Sequence, residues 1–337
     1  MQRKDYWKKS LAIAWPALLE FFFISIADII DTFMVSGMGP SAVAAIGLTT
    51  QPKFIALTIF FSINAAVSAL VARRQGEGDR KEANKTLLTA IYIVIAFVIL
   101  VDLVMMPFLS PILKFAGSNP ETHELSIAYF QIIMGGLIFN ALAMVINAGH
   151  RGCGNTQIAF VSNLVSSLVN ITFNYLLIYG NLGFPALGIR GAAIATVLGT
   201  VVASIMCIIS LTRKSSYLNF NQFVKAKFAY SKKIAKSIAN LGSNIFVENV
   251  SARIGFLVTA ITAASLGTEI FAAHNVGMNL LSLTFSLGNG MQVAAIALSG
   301  NALGAEDKEG AKTYGKVCQE IGFALSVIVS IILIFFG

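Results

Sequence analysis

Residues 11–36, LAIAWPALLEFFFISIADIIDTFMVS, constrain this chain most: the run is long enough to cross a bilayer, yet it carries Glu20, Asp28 and Asp31. A helical span takes about 20 apolar residues. A carboxylate near its centre costs about 2.5–3.5 kcal/mol on insertion scales, so three in one span demand a use. At about 100° per residue, Asp31 falls about 20° from Glu20 around the helix axis and Asp28 about 80°. All three can therefore share a side turned away from lipid. Pro16 removes one backbone donor and can bend the helix beside that side. The pattern predicts a membrane transporter whose first helix holds a proton or a small cation.

The rest of the chain repeats the apolar theme. Nine runs are predicted as helical spans, roughly 10–36, 43–72, 86–112, 124–148, 157–180, 188–212, 235–264, 269–300 and 315–337. They lack the alternation of a membrane β-strand, and a backbone in lipid must satisfy its own polar groups. A hydrophobic share of 56%, a charged share of 12% and a mean hydropathy of +0.76 exclude an ordinary soluble domain. The net charge of +8 lies mostly at the N-terminus and in short loops such as RRQGEGDRKEANK (73–85), HRGCGNT (150–156) and residues 213–236. Such loops face the cytoplasm, which predicts a multi-pass protein of the inner or plasma membrane with a cytoplasmic N-terminus, and no nucleic-acid partner. MQRKDYWKKS resembles the basic start of a signal peptide, but the run after it is too long and too acidic for one. Cys153, Cys207 and Cys318 show no paired spacing.

Sliding the chain by 228 positions lays it on itself without a gap. Glu20 meets Glu248, Ala69-Leu70 meets Ala297-Leu298, Gly76 meets Gly304, Asp79 meets Asp307 and Ala83 meets Ala311. Six predicted spans separate each feature from its copy, so the two halves share one orientation and form parallel repeats. The expected organisation is a six-helix bundle over 1–212, a cytoplasmic inter-lobe linker over 213–234, and three helices of a second bundle over 235–337. About nine of twelve spans would then be present, as in a fragment or an incomplete gene product. The linker reads either as an amphipathic surface helix or as a solvated connector.

At this point a resemblance carries further. WPALLE, DIIDTFMVSGMG and AAIGLTTQP, the ARRQGEGDRKEA and HRGCGNT loops, NITFNYLLIYG and GIRGAAIATV resemble, in order and spacing, the multidrug and toxic compound extrusion (MATE) family. The resemblance implies an all-α polytopic fold of two parallel-repeat bundles, a central cleft, and export of organic cations in exchange for Na⁺ or H⁺. Residue by residue, it implies that Asp31 is the essential acid of the first lobe. It also implies that Asn170, Asn174 and Thr196 line the same site, and that Glu248 serves the cation in the second lobe. The position of Asn174 is often Asp in the family, which leaves less negative charge here. No cofactor is implied; the cargo is a small organic cation, and the protein is expected to work as a monomer among lipids.

Elementary chemistry supports the assignment. A desolvated carboxylate tends to keep its proton and gives it up when a cation arrives, so one acid serving two ligands in turn couples their movements. Oxygens of Asn170, Asn174 and Thr196 would complete a shell for Na⁺ at Asp31. Glu20, Asp28, Asn64 and Asn147 are further cleft candidates, with interhelical bonding as the structural alternative for the amides. Glu248 could instead pair with Arg253, but residues five apart sit about 140° from one another around a helix. An enzyme is not expected: GAKTYGKV (310–317) lacks the hydroxyl residue and the preceding strand of a phosphate loop. The alternative is a lipid-linked oligosaccharide flippase of the same superfamily. Its cleft would need several basic residues for pyrophosphate, whereas the first six spans offer acids, amides and almost no basic side chains.

Overall fold

A computed structural model describes residues 3–213, 216–225, 229–265 and 268–336. Helices account for nearly all of them: α1 (Arg3–Ser36), α2 (Pro40–Gly76), α3 (Arg80–Met105), α4 (Leu109–Phe115), α5 (Pro120–Gly135), α6 (Leu137–Gly152), α7 (Thr156–Tyr179), α8 (Ile189–Thr212), α9 (Phe220–Lys225), α10 (Lys232–Ser265), α11 (Thr268–Gly304) and α12 (Lys308–Phe336). Among the described residues six of these, α1, α2, α3, α7, α8 and α12, are long and apolar enough to cross a membrane, and α5 with α6 makes a seventh as a pair bent by 47°. α10 and α11, of 34 and 37 residues, also have the length to cross. α10 carries Glu248 and Arg253 near its middle, and α11 carries Asn289 and Gln292. Ile99, Leu100, Leu103 and Val104 leave an apolar face of α3 uncovered, as a helix against lipid does. The chain is a multi-pass membrane protein.

Two expected spans differ in detail. The run 86–112 is split, because Pro107 cannot continue the backbone ladder, and the chain restarts as α4. The run 124–148 is broken at Gly135-Gly136 instead of straight. A Cβ on Gly136 would lie 2.5 Å from Val197 Cγ2, so this bend brings backbone directly against α8.

The internal repeat is reproduced in three dimensions. α2 and α11, each of 37 residues, start and end 228 positions apart, and α3 and α12 start at the same offset. The turns between them match as well. Asp79 caps α3 by accepting from Glu82 N at 2.9 Å, and Asp307 accepts from Gly310 N at 2.7 Å. Before each cap the backbone is left-handed, at Gly78 (φ 73°) and at Glu306 (φ 61°). α2 and α11 cross where these turns meet. A Cβ on Gly76 would lie 1.9 Å from Asn301 O, and one on Gly304 would lie 1.9 Å from Arg73 O. Arg73 and Asn301 are themselves 228 apart, so each half presents the same patch to the other, the signature of a two-fold contact. Further from this crossing, Ser25 meets Ser286 at 3.3 Å and Asn249 donates to Ser62 at 3.4 Å.

The interior of the first half is apolar. Phe60, Val67 and Val71 of α2 pack with Leu87 and Val94 of α3, Phe130 and Met134 of α5, Ile146 of α6 and Cys207 of α8. The segment between α8 and α10, apart from residues 214–215 and 226–228 outside the described set, is fastened to the start of α3. Arg80 donates to Ser216 O at 2.6 Å and Tyr217 O at 2.9 Å, and Asn84 accepts from Asn219 N at 2.8 Å. Leu218 and Phe223 are buried beneath it.

Because the halves approach through glycine, Gly76→Val or Gly304→Val should lower stability by about 1–3 kcal/mol, the cost of overpacking a close contact. A reduced thermal unfolding midpoint in detergent is the expected reading; an unchanged midpoint would show that the crossing carries no weight.

Candidate functional site

α1 reaches the Pro40 end of the first half with Asp31 turned toward α7 and α8. Tyr179, at the end of α7, donates to Met34 O at 2.7 Å and fixes the two helices in register. A Cβ on Gly37 would collide with the Tyr179 hydroxyl at 2.2 Å, so only glycine allows this approach. On α7, Asn170 and Asn174 are one turn apart and share a face. Asn174 donates from Nδ2 to Asp31 Oδ1. Asn170, with its amide nitrogen toward the acid, donates to the same Oδ1 at 2.8 Å, and its oxygen accepts from the Thr196 hydroxyl of α8 at 3.1 Å.

Both amides therefore hold one carboxylate oxygen, while Asp31 Oδ2 takes no hydrogen bond from the described residues and Asp31 is half-buried. Asn174 is fully buried and its Oδ1 has no partner. Tyr129 of α5 is buried beside Ala192 and Ala193 of α8, in the cluster that packs around the end of the site. No Lys, Arg or His nitrogen lies within 4.0 Å of Asp31 among the described residues. The oxygens of Asp31, Asn170, Asn174 and Thr196 suit a small hard cation. Among the described residues no group of three His, Cys, Asp or Glu side chains could hold a metal. One carboxylate with neutral oxygens favours a monovalent ion over a divalent one.

None of the other expected site residues bonds to this cluster among the described residues. Asp28, one turn earlier on α1, is exposed. Glu20, nearly fully buried toward the Gly76 end, is ion-paired with Arg151 of α6 and accepts from Asn163 Nδ2 of α7 at 2.5 Å. Its Oε2 has no partner. Asn147 is buried between helices, donating to Ser162 at 3.2 Å and accepting from Cys207 Sγ at 3.2 Å. Asn64 is buried with its Oδ1 unpartnered. Glu248 is exposed on α10 and does not pair with Arg253. The Arg253 guanidinium instead sits over the Phe54 ring, 4.8 Å from its centroid.

Two basic side chains correct the expectation of an interior almost without them. Arg151, which reads as a topological charge in the HRGCGNT loop, turns inward at the end of α6 to meet Glu20. Lys53 is half-buried on α2 and lines a cavity of about 80 Å³ with Asn140, Thr196 and Thr200. A lysine within an apolar span is itself a functional signal. It is visible in the sequence as the Lys of QPKF, between two apolar stretches.

The profile of the MatE family matches residues 16–176 and 245–337. Among known proteins, a probable multidrug resistance protein NorM of Thermotoga maritima is 24% identical over 303 residues, which cover 90% of this chain and 64% of that protein. A protein of the same description from Rhizobium meliloti is 28% identical, over 91% of this chain and 65% of its own length. One from Bacillus cereus is 26% identical, over 98% and 73%. The chain thus spans about two-thirds of the length of the first two relatives. Among solved structures, an outward-facing multidrug resistance MATE transporter of the MOP superfamily superposes with a TM-score of 0.90 at 24% identity, over 98% of this chain and 72% of that one. A MATE protein in a bent conformation superposes with a TM-score of 0.89 at 23% identity, over 99% and 73%. At these identities the superpositions speak for the fold.

Removing one partner of a buried ion pair leaves the other uncompensated, so Arg151→Met should cost about 3–5 kcal/mol of stability. The double variant Glu20→Gln/Arg151→Met should recover much of that loss in a detergent unfolding titration. Equal losses in the single and double variants would contradict a contact between them.

Proposed function

The chain belongs to the MATE family, a family of transporters and not of enzymes, and on that premise we propose that it is a secondary antiporter exporting organic cations in exchange for Na⁺ or H⁺. The observation that carries this reading is Asp31: one oxygen is held by two amides, and the other stays open to a visitor. In the absence of a cation the amide N–H groups stabilise the ionised carboxylate. A proton or Na⁺ meets Asp31 at Oδ2, and Asn174, whose buried Oδ1 has no partner among the described residues, supplies a further oxygen from α7. An organic cation competes for the same charge, so each ligand displaces the other. The multidrug resistance description of the NorM relatives agrees with such a cargo. A cationic cargo is preferred to a pyrophosphate-linked lipid because Asp28 and Asp31 outnumber Lys53 at this site.

The two-fold relation between α1–α3 and α10–α12 is the architecture alternating access requires, one bundle rocking against the other. We assign residues 1–212 and 235–337 to the two bundles, with 213–234 as the connector. The basic loops face the cytoplasm of a cell-membrane protein that works as a monomer. Ethidium efflux from proteoliposomes, with Na⁺ and pH gradients imposed separately, tests the proposal. Wild-type chain should drive efflux with at least one gradient and Asp31→Asn with neither. Undiminished efflux by Asp31→Asn contradicts it.

A further inference from the structure

Lys53 has no place in the mechanism above, yet its cost must be met. A charged side chain within a span is expensive unless something compensates it. Its ammonium lies 5.9 Å from the Phe54 ring centroid, which is at most a weak cation–π contact. Asp28 and Asp31 stand one turn apart on α1, and neither comes within 4.0 Å of its nitrogen, though both carboxylates are near enough for their fields to reach it. The link is also spatial. Thr196, which Asn170 joins to Asp31, borders the cavity into which Lys53 reaches beside the bend between α5 and α6. An ammonium in the field of two acids, and bonded in contact to neither, is free to yield when another cation enters.

We propose that Lys53 is a resident counter-cation that sets the charge, and so the valence, of the ligand taken at Asp31. With Asp28 and Asp31 ionised, Lys53 leaves one negative charge, and a monovalent cation neutralises the site. A divalent cation would leave it positive, inside a wall of helices that screens poorly. Asn174, neutral beside the acid, keeps the balance at one. Lys53 is thus a specificity-determining residue of the antiporter reading, on which this inference rests, and it does not touch the cargo itself.

The test is equilibrium binding to the purified chain in detergent, with tetraphenylphosphonium as a monovalent probe and methyl viologen as a divalent one. A unit charge removed at about 10 Å, at an effective dielectric of about 20, changes the affinity for a monovalent cation by about tenfold and for a divalent one by the square of that. Lys53→Met should therefore tighten tetraphenylphosphonium about tenfold and methyl viologen about a hundredfold, shifting the preference toward the divalent probe. Asn174→Asp, which adds one negative charge by another route, should shift the preference the same way, and Lys53→Arg should restore it. Lys53→Gln takes the place of Lys53→Met if the latter does not elute as a folded species. Equal changes for both probes, or none, with Asp31→Asn still abolishing tetraphenylphosphonium binding, would overturn the role of Lys53 and leave the antiporter reading intact. Failure of the wild-type chain to bind tetraphenylphosphonium would overturn both.

Discussion

The cost of charge away from water governs this molecule. Each ionisable side chain among the spans must find a partner, a wet surface or a visitor. Glu20 has the first, in Arg151 and Asn163, and its pairing fastens α1 to α6 and α7 near the Gly76 end. Asp28 is exposed on α1, one turn from Asp31. Asp31 has neither a fixed cation nor full exposure, only two amides on one oxygen. Three acids on one helix thus come to different ends through what α6 and α7 present to them.

The same helix therefore carries a fixed point and a variable one. At the Gly76 end, the glycine crossing of α2 with α11 and the Glu20–Arg151 pair make dense contacts. Toward the Pro40 end, the polar cluster of Asp31, Asn170, Asn174 and Thr196 is held by hydrogen bonds alone, worth about 1.5–3 kcal/mol net to the carboxylate and about 0.5–1.5 between neutral groups. Rearranging such bonds around an entering cation is inexpensive next to breaking a buried ion pair. The arrangement suits a site that changes occupant while its scaffold stays put.

Much of this was legible in the chain itself. The apolar runs and the 228-residue repeat are local or periodic signals, and such signals survive in one dimension; Asn170, Asn174 and Thr196 were reached only through the family resemblance. The repeat even carried the Asp79 and Asp307 caps and the Gly76 and Gly304 crossing in register. What escaped was the choice of partners across helices. Arg151 meets Glu20 over 131 positions, and no spacing rule says that this arginine turns inward to it. Lys53 was one residue in an apolar run, and only packing shows that α2 aims it at a cavity bordered by Thr196. The bend at Gly135-Gly136 depends on Val197 of another helix.

The central claim is that Asp31 is an acid visited by cations. The most direct measurement is carbodiimide labelling of the purified chain, with each modified carboxyl located by mass spectrometry, across a titration of Na⁺ or tetraphenylphosphonium. The account predicts that Asp31 is labelled without added cation and protected as either cation saturates, while Glu20, held by Arg151, does not respond. Labelling of Asp31 that ignores both cations would contradict it.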